Sequence, residues 1–356
     1  MKQEKNNAPA GFDVSPDMDF YRIPDSRFRL YGVFYDEKEG RFMRMPSGIA
    51  ASVSPMVDEL SRHTAGGRIR FSTDASRIAV AMRCSGLAAM PHMPLSGSHG
   101  FTLIEDEGES HSFAALFIPN HYANYKESGS ADGFYSEKLI RGGKMRSYTL
   151  YFPLYSDVRE LTIGIPKGAK LGPGEEYRKE KPLLFYGSSI TQGGCASRPD
   201  NMYQGYLSKW FNIDFINLGF SGSAVGEVPM AEYLASLDPS VFICDYDYNA
   251  PNADFLKDTH YRLYRIFREK HPDTPIICIS NPDYDTDDSS EARLRVIRKT
   301  VSLAKRSGDR NIVLVSGKKL FGKESRENCT VDMTHPNDLG FYNMALEIAK
   351  ALKKFI

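Results

Sequence analysis

Leu183-Leu184-Phe185-Tyr186-Gly187-Ser188-Ser189-Ile190-Thr191-Gln192-Gly193-Gly194 is the stretch on which the fold turns. Four apolar residues behind Lys181-Pro182 predict a short buried strand, which runs straight into glycine and two serines. Open α/β sheets hold their ligands at the carboxyl edge of parallel strands, so a hydroxyl here stands where chemistry can be done. Taken alone, the same residues also fit an ordinary strand-to-helix turn.

Downstream the pattern alternates. The spacing predicts helix over 203–211, strand over 213–217, helix over 229–237, strand over 241–245 and a long helix over 254–270. Strand 275–280, helix 290–306, strand 312–315 and helix 339–355 complete the series, with Asp288-x-x-Glu291 reading as a capping box. Five strands alternating with helices predict a parallel sheet covered on both faces. Residues far apart in the chain then leave the same carboxyl edge.

Three further stretches stand out: Asn217-Leu218-Gly219-Phe220-Ser221-Gly222-Ser223, Asp245-Tyr246-Asp247-Tyr248-Asn249 and Asp332-Met333-Thr334-His335-Pro336. Together with Gly187-Ser188-Ser189-Ile190 they resemble, in order and spacing, the four blocks of the SGNH (GDSL-like) hydrolase superfamily, over roughly residues 180–356. The resemblance implies a flavodoxin-like three-layer α/β domain and a serine esterase with Ser189, Asp332 and His335 as catalytic residues. It also implies an oxyanion hole built from the N–H groups of Ser189 and Gly222 and the Asn249 amide, with no metal and no cofactor. The third block departs from the family: its usual Gly-x-Asn-Asp reads Asp247-Tyr248-Asn249-Ala250. Asp247 is therefore expected either to hydrogen-bond a substrate hydroxyl or to be solvated beside the cleft.

The chemistry explains why these residue types belong together. A serine hydroxyl is a weak nucleophile until a base takes its proton, and an imidazole does so near neutrality. A carboxylate three residues earlier can reach the ring nitrogen facing away from the serine and fix its tautomer. Attack on an ester carbonyl creates an oxyanion that needs N–H donors. Cys195 is an alternative, thiol nucleophile, though Asp-x-x-His suits a serine better.

The first half differs in character. Aromatic residues recur at short intervals from Phe20, and Arg68–Phe71 and Arg77–Met82 read as a hairpin with one wet face, turning at Thr73-Asp74-Ala75-Ser76. More strands are expected at 100–104, 147–152 and 160–165, which suggests a β-sandwich, jelly-roll-like in form. This half resembles the β-sandwich domain that precedes the catalytic domain in some SGNH hydrolases. In such relatives Met-x-x-x-Gly is followed by Gly-x-Asp-Leu-Tyr; here Met93–Gly97 and Gly100-Phe101-Thr102-Leu103-Ile104 take those places. The loop carrying His92 and Met93 is expected to contact substrate, or else to make a plain apolar contact. His63, His99, His111 and His121 show no ligand spacing and are expected as surface or hydrogen-bonded core residues. The expected organisation is a polar arm over 1–18, the sandwich over 19–166, a glycine- and charge-rich connection over 167–180, and the hydrolase domain over 181–356.

Composition narrows the partners. Lys plus Arg and Asp plus Glu are 45 each, so nothing favours nucleic acid or an anionic membrane. Met1–Asn7 has charge without an apolar run behind it, which favours a cytoplasmic home. Five cysteines without Cys-x-x-Cys argue against a disulfide framework, and Cys244 and Cys278 read as small buried hydrophobes. Asp283–Asp288 lacks the EF-hand glycine and terminal glutamate, so it reads as a loop before a helix. The basic run Arg293, Arg295, Arg298, Lys299 reads as a solvated helix face. The expected substrate is a short acyl ester, an O-acetyl group on a carbohydrate above all. The alternatives are a non-catalytic carbohydrate-binding protein on the same fold, or a thioesterase or lysophospholipase.

Overall fold

The computed structural model describes residues 8–87, 89–119, 132–178, 181–282 and 289–356, which group into two compact units. The first comprises the chain up to Met43, Arg62–Glu176 and Arg198–Asp200; the second comprises Arg44–Ser61, Tyr177–Ser197 and Asn201–Ile356. His121, the loop Asp283–Asp288 and the capping acid Asp288 lie outside the described residues.

The first unit is built from two large antiparallel sheets, beside a small two-stranded one that pairs Phe34–Asp36 with Arg41–Met43. One runs Met18–Ile23, Glu160–Pro166, Arg77–Arg83, Gly133–Leu139; the other runs Leu171–Pro173, Arg68–Thr73, Arg146–Tyr151, Phe101–Glu107, Ser110–Phe117, with Arg29–Tyr31 also paired to Arg68–Thr73. Ile78, Val80, Met82, Leu161 and Ile163 from the first sheet and Ile69, Phe71, Leu103 and Leu150 from the second share one apolar core. The predicted hairpin is not one. Its two strands lie in different sheets, and the chain crosses between them at Thr73–Ser76, where the Thr73 hydroxyl accepts the N–H of Ala75. The polar half of the alternation is also inside: Arg68 and Arg70 are buried, and Arg70 pairs with the buried Asp106 at 3.4 Å. A charged residue at every second position marked an internal ion pair, not a wet face. Leu171–Pro173, expected in the connection, is a strand.

The second unit holds a five-stranded parallel sheet: Leu183–Gly187, Phe215–Gly219, Val241–Asp245, Ile276–Ile279 and Ile312–Val315. Numbered along the chain, their order across the sheet is 2-1-3-4-5, the flavodoxin-like arrangement. Successive residues of the strand Leu183–Gly187 serve opposite faces. Leu184 and Tyr186 join the core shared with helices Val228–Ser236, Ala253–Lys270 and Ser290–Arg306. On the other face Phe185 packs edge-on against Tyr203 and Phe215, and Tyr203 meets Phe341 of the last helix, Asp338–Leu352. Asn252 and Asn337 cap the helices that follow them, accepting from the N–H groups of Phe255 and Gly340. Two short helices, Ser47–Val53 and Pro55–Ser61, also belong to this unit although they precede most of the sandwich. Ala50, Val57 and Leu60 enter its core, and the Arg44 guanidinium bonds the carbonyls of Asn217, Gly219 and Leu60. Among the described residues, no helix is long and apolar enough to cross a membrane.

Candidate active site

The nucleophile candidate sits on a single helical turn, Ser189–Gln192, at the end of the first strand of the parallel sheet. Ser188 caps it by accepting the N–H of Ile190, and Gly193 ends it in the left-handed region, φ 103°. Gly187 cannot carry a side chain: a Cβ there would overlap Thr191 Oγ1 and the carbonyl of Asp245. The turn is held from below by a buried polar network. Gln204 and Asn217 both donate to the Thr191 carbonyl (2.6 and 2.8 Å), and Gln192 accepts the N–H of Ser221. Thr191 and Tyr203 each place a hydroxyl 3.2 Å from the carboxyl of Asp245. Complete burial, then the proximity of Asp247, pushes the Asp245 carboxyl up to about 8.

His335 arrives from the other end of the unit on the turn Asp332–His335. Its Nε2 lies 2.9 Å from Ser189 Oγ, and its Nδ1 lies 2.7 Å from Asp332 Oδ2. Asp332 also shapes the turn, because its other oxygen accepts the N–H groups of Thr334 and His335 at 3.1 and 2.7 Å. Met333 takes the left-handed conformation, φ 68°, to make this possible. Burial alone would raise the Asp332 carboxyl; the bonds from His335 outweigh it and hold the group below its ordinary value, so it is ionised. The arrangement is one in which an imidazole, its tautomer set by a carboxylate, can accept the serine proton.

The expected oxyanion donors occupy the same edge. Ser189 opens its helical turn, Gly222 stands in the left-handed region (φ 67°) with open space where a Cβ would be, and Asn249 ends the turn Asp247–Asn249 after the third strand. Asn249 Nδ2 donates to the Phe220 carbonyl at 2.9 Å, which leaves the second hydrogen of that amide for an incoming oxygen.

Other expectations are corrected. Asp247 is not solvated: it is 1% exposed, and its carboxylate accepts the N–H of Asn281 at 3.1 Å, tying the third strand's exit to the fourth's. Burial, with Asp332 nearby, pushes the Cys195 thiol up to about 12, which disfavours a thiolate there. Arg293 is not on a solvated face either. It is buried, and its guanidinium reaches the carbonyls of Asp247 and Ala250 at 2.5 and 2.6 Å. His92 is exposed and Met93 buried in the first unit, on a short bridge between Met90 and Met93. His99 and His111 are hydrogen-bonded there, to Ser98 and Asp106. All five cysteines are free and buried.

Residues missed by the sequence reasoning are Thr191, Tyr203, Asp245, Tyr248 and Arg293. Asp245 carried a signal, a carboxylate closing an otherwise apolar strand; Tyr248 and Arg293 carried none.

Residues 180–353 match the GDSL-like Lipase/Acylhydrolase family, and residues 18–171 match the N-terminus of Esterase_SGNH_hydro-type. The chain belongs to the SGNH (GDSL-like) hydrolases. A candidate GDSL-like lipase from Bacteroides ovatus ATCC 8483 is similar to this hydrolase at 27% identity and a TM-score of 0.83, over 95% of this chain and 98% of that one. The salicylyl-acyltransferase SsfX3 from a tetracycline biosynthetic pathway shares the fold at 18% identity and a TM-score of 0.76, over 96% and 98%. So does a family two carbohydrate esterase from Cellvibrio japonicus, at 12% identity and a TM-score of 0.60, over 95% and 98%. No curated protein matches the chain.

Proposed function

We propose that this hydrolase is a serine esterase that removes short acyl groups, O-acetyl groups on carbohydrates first among them, through an acyl-enzyme on Ser189. The observation that carries it is the unbroken chain Ser189–His335–Asp332, with links of 2.9 and 2.7 Å. Ser189 Oγ attacks the ester carbonyl while its proton passes to His335 Nε2. The oxyanion forms against the N–H groups of Ser189 and Gly222 and the free Asn249 hydrogen, and Asp332 stabilises the imidazolium. The proton goes to the departing alcohol. Water then attacks the acyl-enzyme, with His335 taking its proton and returning it to Ser189.

The carbohydrate part rests on the carbohydrate esterases that share the fold. A hydroxyl already engaged by its base is better suited to catalysis than to binding alone, which disfavours a non-catalytic carbohydrate-binding protein. The main test is turnover of p-nitrophenyl acetate and release of acetate from acetylated oligosaccharides. Wild type is expected to turn over both and Ser189→Ala neither; equal rates in the two proteins would overturn the proposal.

A further inference from the structure

Three consecutive residues after the third strand each tie a different segment of the carboxyl edge. Asp247 binds the N–H of Asn281, where the fourth strand ends. Tyr248 places its hydroxyl 2.9 Å from Thr334 Oγ1, inside the turn that carries His335. Asn249 binds the carbonyl of Phe220, just before the Ser221-Gly222 segment. The turn that bears all three is itself clamped by the buried Arg293, whose guanidinium spans the carbonyls of Asp247 and Ala250 while its Nε bonds Ser289. Bonds within its own segment also shape the His335 turn: Val331 N–H to the His335 carbonyl, Asn337 N–H to Cys329, and the Asn337 amide to Asn328.

The chemistry gives the Tyr248–Thr334 link a particular moment of use. In the resting state His335 is also held by Ser189 Oγ. Once Oγ has exchanged its proton for the acyl group, that hydroxyl no longer exists, and the imidazole loses this partner just when it must take a proton from water. We propose that Tyr248 is a positioning residue that, through Thr334, keeps the His335 turn in place during deacylation. The inference rests on the esterase reading.

The test uses p-nitrophenyl acetate and the full chain, with Tyr248→Phe and Thr334→Val made singly and together. Loss of a hydrogen bond that matters in one step is expected to slow that step about tenfold. If deacylation is the step, kcat falls in both single variants, KM falls with it, and kcat/KM stays near the wild-type value. A burst of p-nitrophenol equal to the enzyme concentration then precedes steady turnover. The double variant is expected to match the singles, since both remove the same link. A fall in kcat/KM without a burst, or kcat equal to wild type in both single variants, overturns the inference, as does a double loss equal to the product of the two. Wild-type turnover that survives Ser189→Ala removes the esterase reading itself, and this inference with it; Ser189-dependent turnover that Tyr248→Phe leaves untouched removes this inference alone.

Discussion

Asp245→Asn should change how the second unit's stability depends on pH. The carboxyl is wholly buried beneath the nucleophile turn, facing the hydroxyls of Thr191 and Tyr203 with Asp247 close by. Its ordinary value is 3.8 and burial takes it to about 8, so between those pH values the folded chain holds a proton that the unfolded chain has released. The sign follows: stability from this group is complete below 3.8 and is lost as pH rises through about 8. At ~1.36 kcal/mol per pH unit the whole window is worth about 6 kcal/mol at most, and the part from pH 5 to 8 about 4. Asparagine keeps the shape, still accepts both hydroxyls and never ionises. Urea unfolding can be followed by the fluorescence of Trp210, the chain's single tryptophan, which lies on the helix Tyr203–Phe211 of the same unit. Relative to Asp245→Asn, wild type is expected to lose stability steadily from pH 5 to pH 8. Taking the difference removes groups common to both proteins. Parallel midpoints across that range would show the carboxylate already ionised in the folded state and refute the reasoning.

Three other outcomes are expected. His260 is buried, its ring stacked on Tyr246 and bonded to Thr300, and burial lowers it from 6.5 to about 4. Its stabilisation is therefore complete above 6.5 and lost as pH falls towards 4; His260→Gln should remove up to about 3 kcal/mol of acid sensitivity in urea titrations at pH 4 to 7. Asn249→Ala should lower kcat for p-nitrophenyl acetate by about 100-fold with a much smaller change in KM, as expected for a donor used only by the oxyanion; a change confined to KM would count against that role. Gly187→Ala should abolish turnover and lower Tm, because the new methyl overlaps Thr191 and the Asp245 carbonyl; a variant with wild-type kcat would mean the turn can shift without harm.

Much of the second unit could be read directly. The helices Tyr203–Phe211 and Ser290–Arg306 and the strands Val241–Asp245 and Ile312–Val315 begin and end where their patterns do, because a strand buried on both faces is a plain apolar run with polar boundaries. The first unit was harder. Arg68 and Arg70 alternate with Ile69 and Phe71 in the manner of a solvent-facing strand, and only the distant Asp106 makes an internal pair of what looks like a wet face. Ser47–Val53 and Pro55–Ser61 are seven residues each, too short for a helical period to emerge. At the site, Ser189, Asp332 and His335 were legible because their local order is itself the motif. Tyr248 and Arg293 were not, since each matters through a partner 86 or 46 positions away.

The segment Arg44–Ser61 bears on how such a protein can be inherited. Met45, Ala50, Val57 and Leu60 fill one end of the core around the parallel sheet, and Arg44 latches two carbonyls at the exit of its second strand. A gene cut at the connection near residue 180 would therefore deliver a hydrolase missing part of its own interior. Swapping one half for a foreign one would carry that plug away with the wrong partner. Recombination that treats the halves as interchangeable cassettes would part this plug from the core it fills.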